Sequence, residues 1–137
     1  MRTAAILIIG SLILTGSSLL AVHHAFTAQF DENRPVSLKG TVTKFELINP
    51  HSWIWIDVKG AEGKVVNWGI EGGTPNALMR RGFTKNSLPI GTEVVVVGFQ
   101  ARNGSNRAVG VTVNYPDGRK LFLGGSAPGA EGNETAK

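Results

Sequence analysis

From residue 37 onward, hydrophobic and polar positions mostly follow a two-residue rhythm. Ser37–Leu47 mixes Thr, Val, Leu and Phe with charges, the pattern of a half-buried strand. Asn49-Pro50 interrupts it. Across Ser52–Lys59 the alternation is strict: Ile54, Ile56 and Val58 point one way, and Trp53, Trp55 and Asp57 the other. Gly60-Ala61-Glu62-Gly63 reads as a hairpin loop, and Lys64–Glu71 returns with Val66, Trp68 and Ile70 on one face. Gly72-Gly73 ends the run. Thr74 suits a helix cap, Pro75 its first position and Gly82 its stop, so the spacing predicts a short helix over Asn76–Arg81. Leu88-Pro89-Ile90-Gly91 is a turn. Thr92–Ala101 is a strand whose Val94–Val97 run is apolar on both faces, as in a central strand. After an Asn103-Gly104 turn, Arg107–Tyr115 alternates through Val109, Val111 and Val113. Pro116-Asp117-Gly118 turns again, and Lys120–Leu123 makes a last short strand.

This order, β-β-β-α-β-β, predicts an all-β fold with one short helix. It matches a small antiparallel barrel of the oligonucleotide/oligosaccharide-binding (OB) type. A half-open β-sandwich fits the same order. The chain ends read differently. Residues 1–21 hold one charge, Arg2, ahead of an apolar run from Ala4 to Ala21. That is a secretory signal peptide or, at the lower end of the ~17–25 apolar residues that span a bilayer, a retained membrane anchor through residues 4–21. Residues 22–36 read as a polar lead-in, 37–123 as the barrel, and the Gly-, Ala- and Glu-rich 124–137 as a disordered tail. Either reading of the leader places the domain outside the cytoplasm: periplasmic or secreted, or anchored and facing the periplasm.

Composition narrows the chemistry. The chain has 137 residues with 42% hydrophobic and 18% charged, which suits one globular domain. The absence of cysteine excludes disulfide scaffolds, thiol catalysis, iron–sulfur clusters and cysteine-type zinc sites. The net charge of +4 includes the leader's Arg2 and is too weak to indicate a nucleic-acid partner. No Gly-x-Ser-x-Gly elbow surrounds any serine after the leader. Asp57, Glu62 and Glu71 share one hairpin, where Asp57 and Glu71 could pair or simply be solvated. The expectation is a binding or accessory module with an unknown periplasmic ligand or protein partner, and no enzyme.

Three groups of residues are candidates for that binding. Trp53 and Trp55 lie opposite the core face and can stack on a sugar, a base or a partner's apolar group, unless the lead-in's Phe26 and Phe30 fold across them. Gly72 and Gly73, with Asn76 and Arg80, precede or open the helix, where backbone N–H groups can meet an anion or can form an ordinary strand-to-helix turn. The histidines form the third group. Cleavage after Ala21 would leave the terminus Val22-His23-His24, whose amine, two amides and His24 imidazole can wrap Cu(II) or Ni(II) in a square plane, with His51 as a further ligand. Cleavage after Ser18, or no cleavage, removes that chelate, and the histidines are then a solvated pair and a loop residue. His51 shares parity with Trp53 and Trp55.

These blocks resemble a family of small uncharacterised exported bacterial proteins, classed as a domain of unknown function. The resemblance rests on His23-His24-x-Phe26, Asp31…Pro35-Val36-x-Leu38-x-Gly40-Thr41-Val42 and Asn49-Pro50-His51-x-Trp53. Asn67-Trp68…Glu71-Gly72-Gly73, Pro75-Asn76-Ala77-Leu78, Arg80-Arg81-Gly82 and Gly91-x-x-Val94 continue it. It spans nearly all of residues 23–123 and implies periplasmic export and a small β-fold, with no established activity. The family pattern sets alanine directly before the histidine pair, whereas here Val22 intervenes.

Overall fold

The computed structural model describes residues 26–130 and Gly132. Residues 26–29 are helical. They lead into β1 (Phe30–Glu46), followed by β2 (Trp53–Lys59), β3 (Val65–Glu71), α1 (Pro75–Arg80), β4 (Glu93–Ala101), β5 (Arg107–Asn114) and β6 (Lys120–Phe122). Pairing runs β3-β2-β1-β4-β5-β6, and β3 also pairs with β5, in parallel. The first five strands therefore close into a ring in the order 1-2-3-5-4, the barrel that the element order predicts. Every other pairing is antiparallel.

Two devices let so few strands close. One is the length of β1, whose N-terminal part pairs with β4 and C-terminal part with β2. Gly40 sits where the two ladders overlap, opposite both Val58 and Val94. A Cβ there would lie 2.7 Å from the Asp57 carbonyl oxygen, so only glycine lets the strands approach this closely. The other device is the β-bulge. Register shifts fall between Val42 and Lys44 in β1 and between Val97 and Gly98 in the β4–β5 ladder, bending the strands around the barrel.

The core follows the predicted faces where no bulge intervenes. Ile54, Ile56, Ile70, Val94 and Val96 are buried inside, with Leu78 of α1 plugging one end beside Phe83 and Leu88. Thr74 caps α1 by accepting from Ala77 N at 3.2 Å, with Pro75 at its first turn. The Tyr115 hydroxyl donates to the Ser87 carbonyl at 2.7 Å and ties the α1–β4 loop to the end of β5.

Four expectations need correction. β1 starts at Phe30, inside the expected lead-in, because its early residues pair with β4. β4 is central, paired with β1 on one side and β5 on the other, but only one face of its Val94–Val97 run is buried: Val94 and Val96 are buried, and Val97 is exposed. Along β5 the continuous odd-numbered alternation hides a change of face. Ala108 packs in the barrel core and Val109 outside it, whereas beyond the bulge opposite Val97/Gly98 it is Val113 and Tyr115 that point inward. Residues 124–130 are not a disordered stretch. Ala127 and Ala130 are buried with Phe26, Phe30, Ala101 and Val109 in a second cluster on the barrel's outer side. The rest of the expected tail, other than Gly132, lies outside the described residues.

Candidate functional site

The ring closure sets a row of residues across three strands. Trp55 of β2 is opposite Gly69 of β3, and Gly69 is opposite Arg107, the first residue of β5. The next row sets Trp53 opposite Glu71. Gly69 has no side chain, so the Trp55 indole lies flat across it; a Cβ there would stand 2.8 Å from Trp55 Cζ3. The Trp55 Nε1–H donates to Glu46 Oε2 at 3.1 Å, fixing the ring's direction. Lys44 Nζ lies 2.7 Å from the other oxygen of Glu46, and these bonds, Lys44's first, hold that carboxyl below its ordinary range.

Trp53 and Trp55 stack on each other, with ring centroids 5.9 Å apart and 23° between planes. The Arg107 guanidinium lies over both, 5.2 Å from the Trp53 ring and 5.9 Å from Trp55. Such cation–π contacts at exposed sites are worth about 0.5–1 kcal/mol each. The aromatic pair predicted to point away from the core does so, and both rings remain half-buried. Phe26 and Phe30 do not fold across them. These phenylalanines pack in the second cluster with Phe99, Ala101 and Val109.

Beside Trp53 is a cavity of about 320 Å³. Trp53, Glu71 and Arg107 form its barrel wall. Ala28, Gln29 and Phe30 come from the entry segment, and Ala101, Arg102, Asn103 and Ser105 from the end of β4 and the β4–β5 loop. Arg102 ties the last two groups together: its backbone N–H donates to the Gln29 carbonyl at 3.0 Å and its Nε to the Thr27 carbonyl. The loop is shaped by Asn103, whose Oδ1 accepts from Ser105 N at 3.0 Å. The Ser105 hydroxyl oxygen is buried and has no hydrogen-bond partner among the described residues.

Glu71 is the one acidic residue of the cavity wall and is 8% exposed. Burial pushes its carboxyl above the ordinary range, while the charges of His51 and Arg107 oppose that rise. His51 Nδ1 approaches Glu71 Oε1 to 2.9 Å, a charge contact when the ring is protonated, set off the line of a hydrogen bond. His51 is thus on the Trp53 side, as its parity requires. Glu71 does not pair with Asp57. Asp57 is opposite Asn67 and accepts from its Nδ2 at 2.8 Å.

The glycine pair is not an anion cradle. Gly72 N donates to the Ser52 carbonyl at 2.8 Å and Gly73 N to the Leu123 carbonyl at 2.7 Å, so both donors are consumed by strand-like bonds. Both glycines are buried, and a Cβ on Gly73 would lie 2.3 Å from the Gly124 carbonyl oxygen. They are there for close backbone packing. Asn76 and Arg80 are exposed on α1 and do not line the cavity. His23 and His24 lie outside the described residues, as do residues 4–21 of the expected signal or anchor. Among the described residues no three His, Cys, Asp or Glu side chains converge on a metal position, and no helix is long and apolar enough to cross a membrane.

Trp53, singled out in the sequence, lines the cavity, Trp55 stacks on it and His51 contacts Glu71, whereas Arg107, Ser105 and the 28–30 segment were not singled out. A signal for Arg107 was present in the predicted barrel, since a ring that closes through β3 and β5 sets the start of β5 beside the β3 residue facing Trp55.

The model of a family of unknown function, DUF6152, matches residues 12–111. The chain belongs to DUF6152. No curated protein and no solved structure matches it. The DUF6152 region takes in the whole cavity wall, from Ala28 to Arg107, and leaves out β6 and the segment after it.

The raised Glu71 carboxyl has a testable sign. A folded state that raises an acid's pKa holds that proton more tightly than the unfolded chain. Its contribution to stability is fully present below the ordinary value of 4.5 and is lost as pH rises through the higher folded value. Glu71→Gln removes this titration. Denaturant unfolding at a series of pH values is expected to show wild type losing stability relative to Glu71→Gln as pH rises from below 4.5 through the weakly acidic range. A difference between the two that does not change with pH contradicts the assignment.

Proposed function

We propose that the protein is an exported, periplasmic or secreted, ligand-binding module that acts by binding rather than catalysis, with its site at the Trp53–Glu71–Arg107 cavity. The observation that carries this reading is the stacked Trp53/Trp55 pair under Arg107, held at the mouth of a cavity of about 320 Å³. That volume is at the small end of ligand pockets, about 300–1,000 Å³. The location adds support by analogy alone. OB-type barrels bind ligands on the face of strands 2 and 3, between the loops that follow strands 1 and 4. Here Trp53 is on β2, Glu71 on β3, His51 in the β1–β2 loop and Asn103 in the β4–β5 loop.

The test is amide chemical-shift mapping with a mixed fragment library of sugars, nucleotides, amines and aromatic acids. Binders are expected to perturb Trp53, Glu71, Ser105 and Arg107 together, and Trp53→Phe to weaken them severalfold with the fold retained. Shifts that scatter, or that cluster elsewhere on the barrel, contradict the reading.

A second reading, copper or nickel binding by His23, His24 and His51, has one supporting observation. Ala28 and Gln29, which follow His24 closely in sequence, line the same cavity as Glu71, the partner of His51. Native mass spectrometry of exported protein with Cu(II) tests it. A Val22 terminus with one retained copper, lost in a His24→Ala/His51→Ala variant, is the expected result. Another terminus, or copper retained by the double variant, contradicts it.

A further inference from the structure

The cavity's chemistry selects among ligand classes. This step rests on the binding reading above and names what is bound. Three classes of ligand can stack on a tryptophan: a cation, a nucleobase and the C–H face of a sugar. Arg107 already supplies the cation to both rings, and Arg102 adds a second positive charge to the wall. An incoming ammonium or guanidinium group therefore meets like charge. An oligonucleotide brings phosphates, each of which needs positive partners. The largely buried Glu71 carboxyl stands in the same wall, and when ionised it repels a phosphate and can only accept hydrogen bonds.

A sugar fits what remains. Its hydroxyls both donate and accept, so it is served by a wall that offers both. Glu71 accepts when ionised and donates when neutral. Asn103 keeps its NH₂ group, because only its Oδ1 is occupied by Ser105 N. The guanidiniums supply several fixed N–H donors, and Trp53, which lines the cavity beside the Arg107 guanidinium, supplies apolar surface for the ring. We infer that this cavity binds a carbohydrate, a mono- or disaccharide unit packed against Trp53 with its hydroxyls shared among Glu71, Asn103 and Arg107.

The experiment is a glycan microarray of neutral and uronic-acid-containing oligosaccharides, probed with wild type, Trp53→Phe and Glu71→Gln. Hits are then titrated in solution, and thermal melts confirm that each variant is folded. Oligothymidylate and a quaternary-amine ligand are titrated in parallel. The expected result is glycan binding that weakens about tenfold in Trp53→Phe and in Glu71→Gln, with little binding of the other two probes. Glycan binding unaffected by both substitutions overturns the placement. Oligothymidylate or the amine binding at Trp53 while every glycan fails overturns the carbohydrate inference and leaves the binding reading standing. Failure of all probes here, together with scattered shifts in the fragment mapping, overturns both.

Discussion

The parallel pairing of β3 with β5 is the constraint on which the rest depends. It spans only Gly69–Arg107, Ile70–Ala108 and Glu71–Val109, but it turns a curled sheet into a closed barrel. The same pairing carries Arg107 across to the two tryptophans and sets the β4–β5 loop beside Glu71. Without it β3 would present an open edge, and the cavity would lose one wall. Fold closure and site assembly are thus one event in this chain, and Gly69 is where they meet. Its missing side chain lets Trp55 lie flat on β3 while its backbone completes the seam.

The site is also preorganised from behind. Glu46 holds the Trp55 indole, Trp55 stacks against Trp53, and the Arg107 guanidinium lies over both rings. Each contact is individually modest, about 1 kcal/mol or less. Their joint effect is to fix ring orientation before any ligand arrives, which lowers the ordering cost of binding. On the other side, the Arg102 bonds to residues 27 and 29 attach the entry segment to the β4–β5 loop. The second cluster, where Phe26 and Phe30 meet Ala127 and Ala130, anchors that segment from below. The entry segment and the β4–β5 loop therefore frame the cavity.

Much of this was legible in the residues. Strict alternation in β2 gave the core face and the outward tryptophans, because a two-residue period maps directly onto the two faces of a strand. Thr74 and Pro75 marked α1 through capping chemistry that acts within one turn. What failed was whatever depended on a bulge or on distant chain. The face change in β5 is invisible to periodicity, since one inserted residue shifts the phase while the valines continue at odd positions. The residues after 123 lack apolar periodicity, yet small alanines there fill space between phenylalanines nearly a hundred positions away. Gly72 and Gly73 resembled an anion loop because glycine before a helix has two uses. The backbone bonds to Ser52 and Leu123 show that close packing is the one realised.

The most direct test of the closure is hydrogen exchange at a single amide. Gly69 N donates to the Asn106 carbonyl at 3.1 Å across the β3–β5 seam, a bond that an open sheet does not contain. A closed barrel predicts that the Gly69 amide exchanges as slowly as the central amides of β2 and β4, opening only with the whole domain. Exchange at the rate of an exposed edge strand would contradict the closure, and with it the assembly of the Trp53–Glu71–Arg107 site.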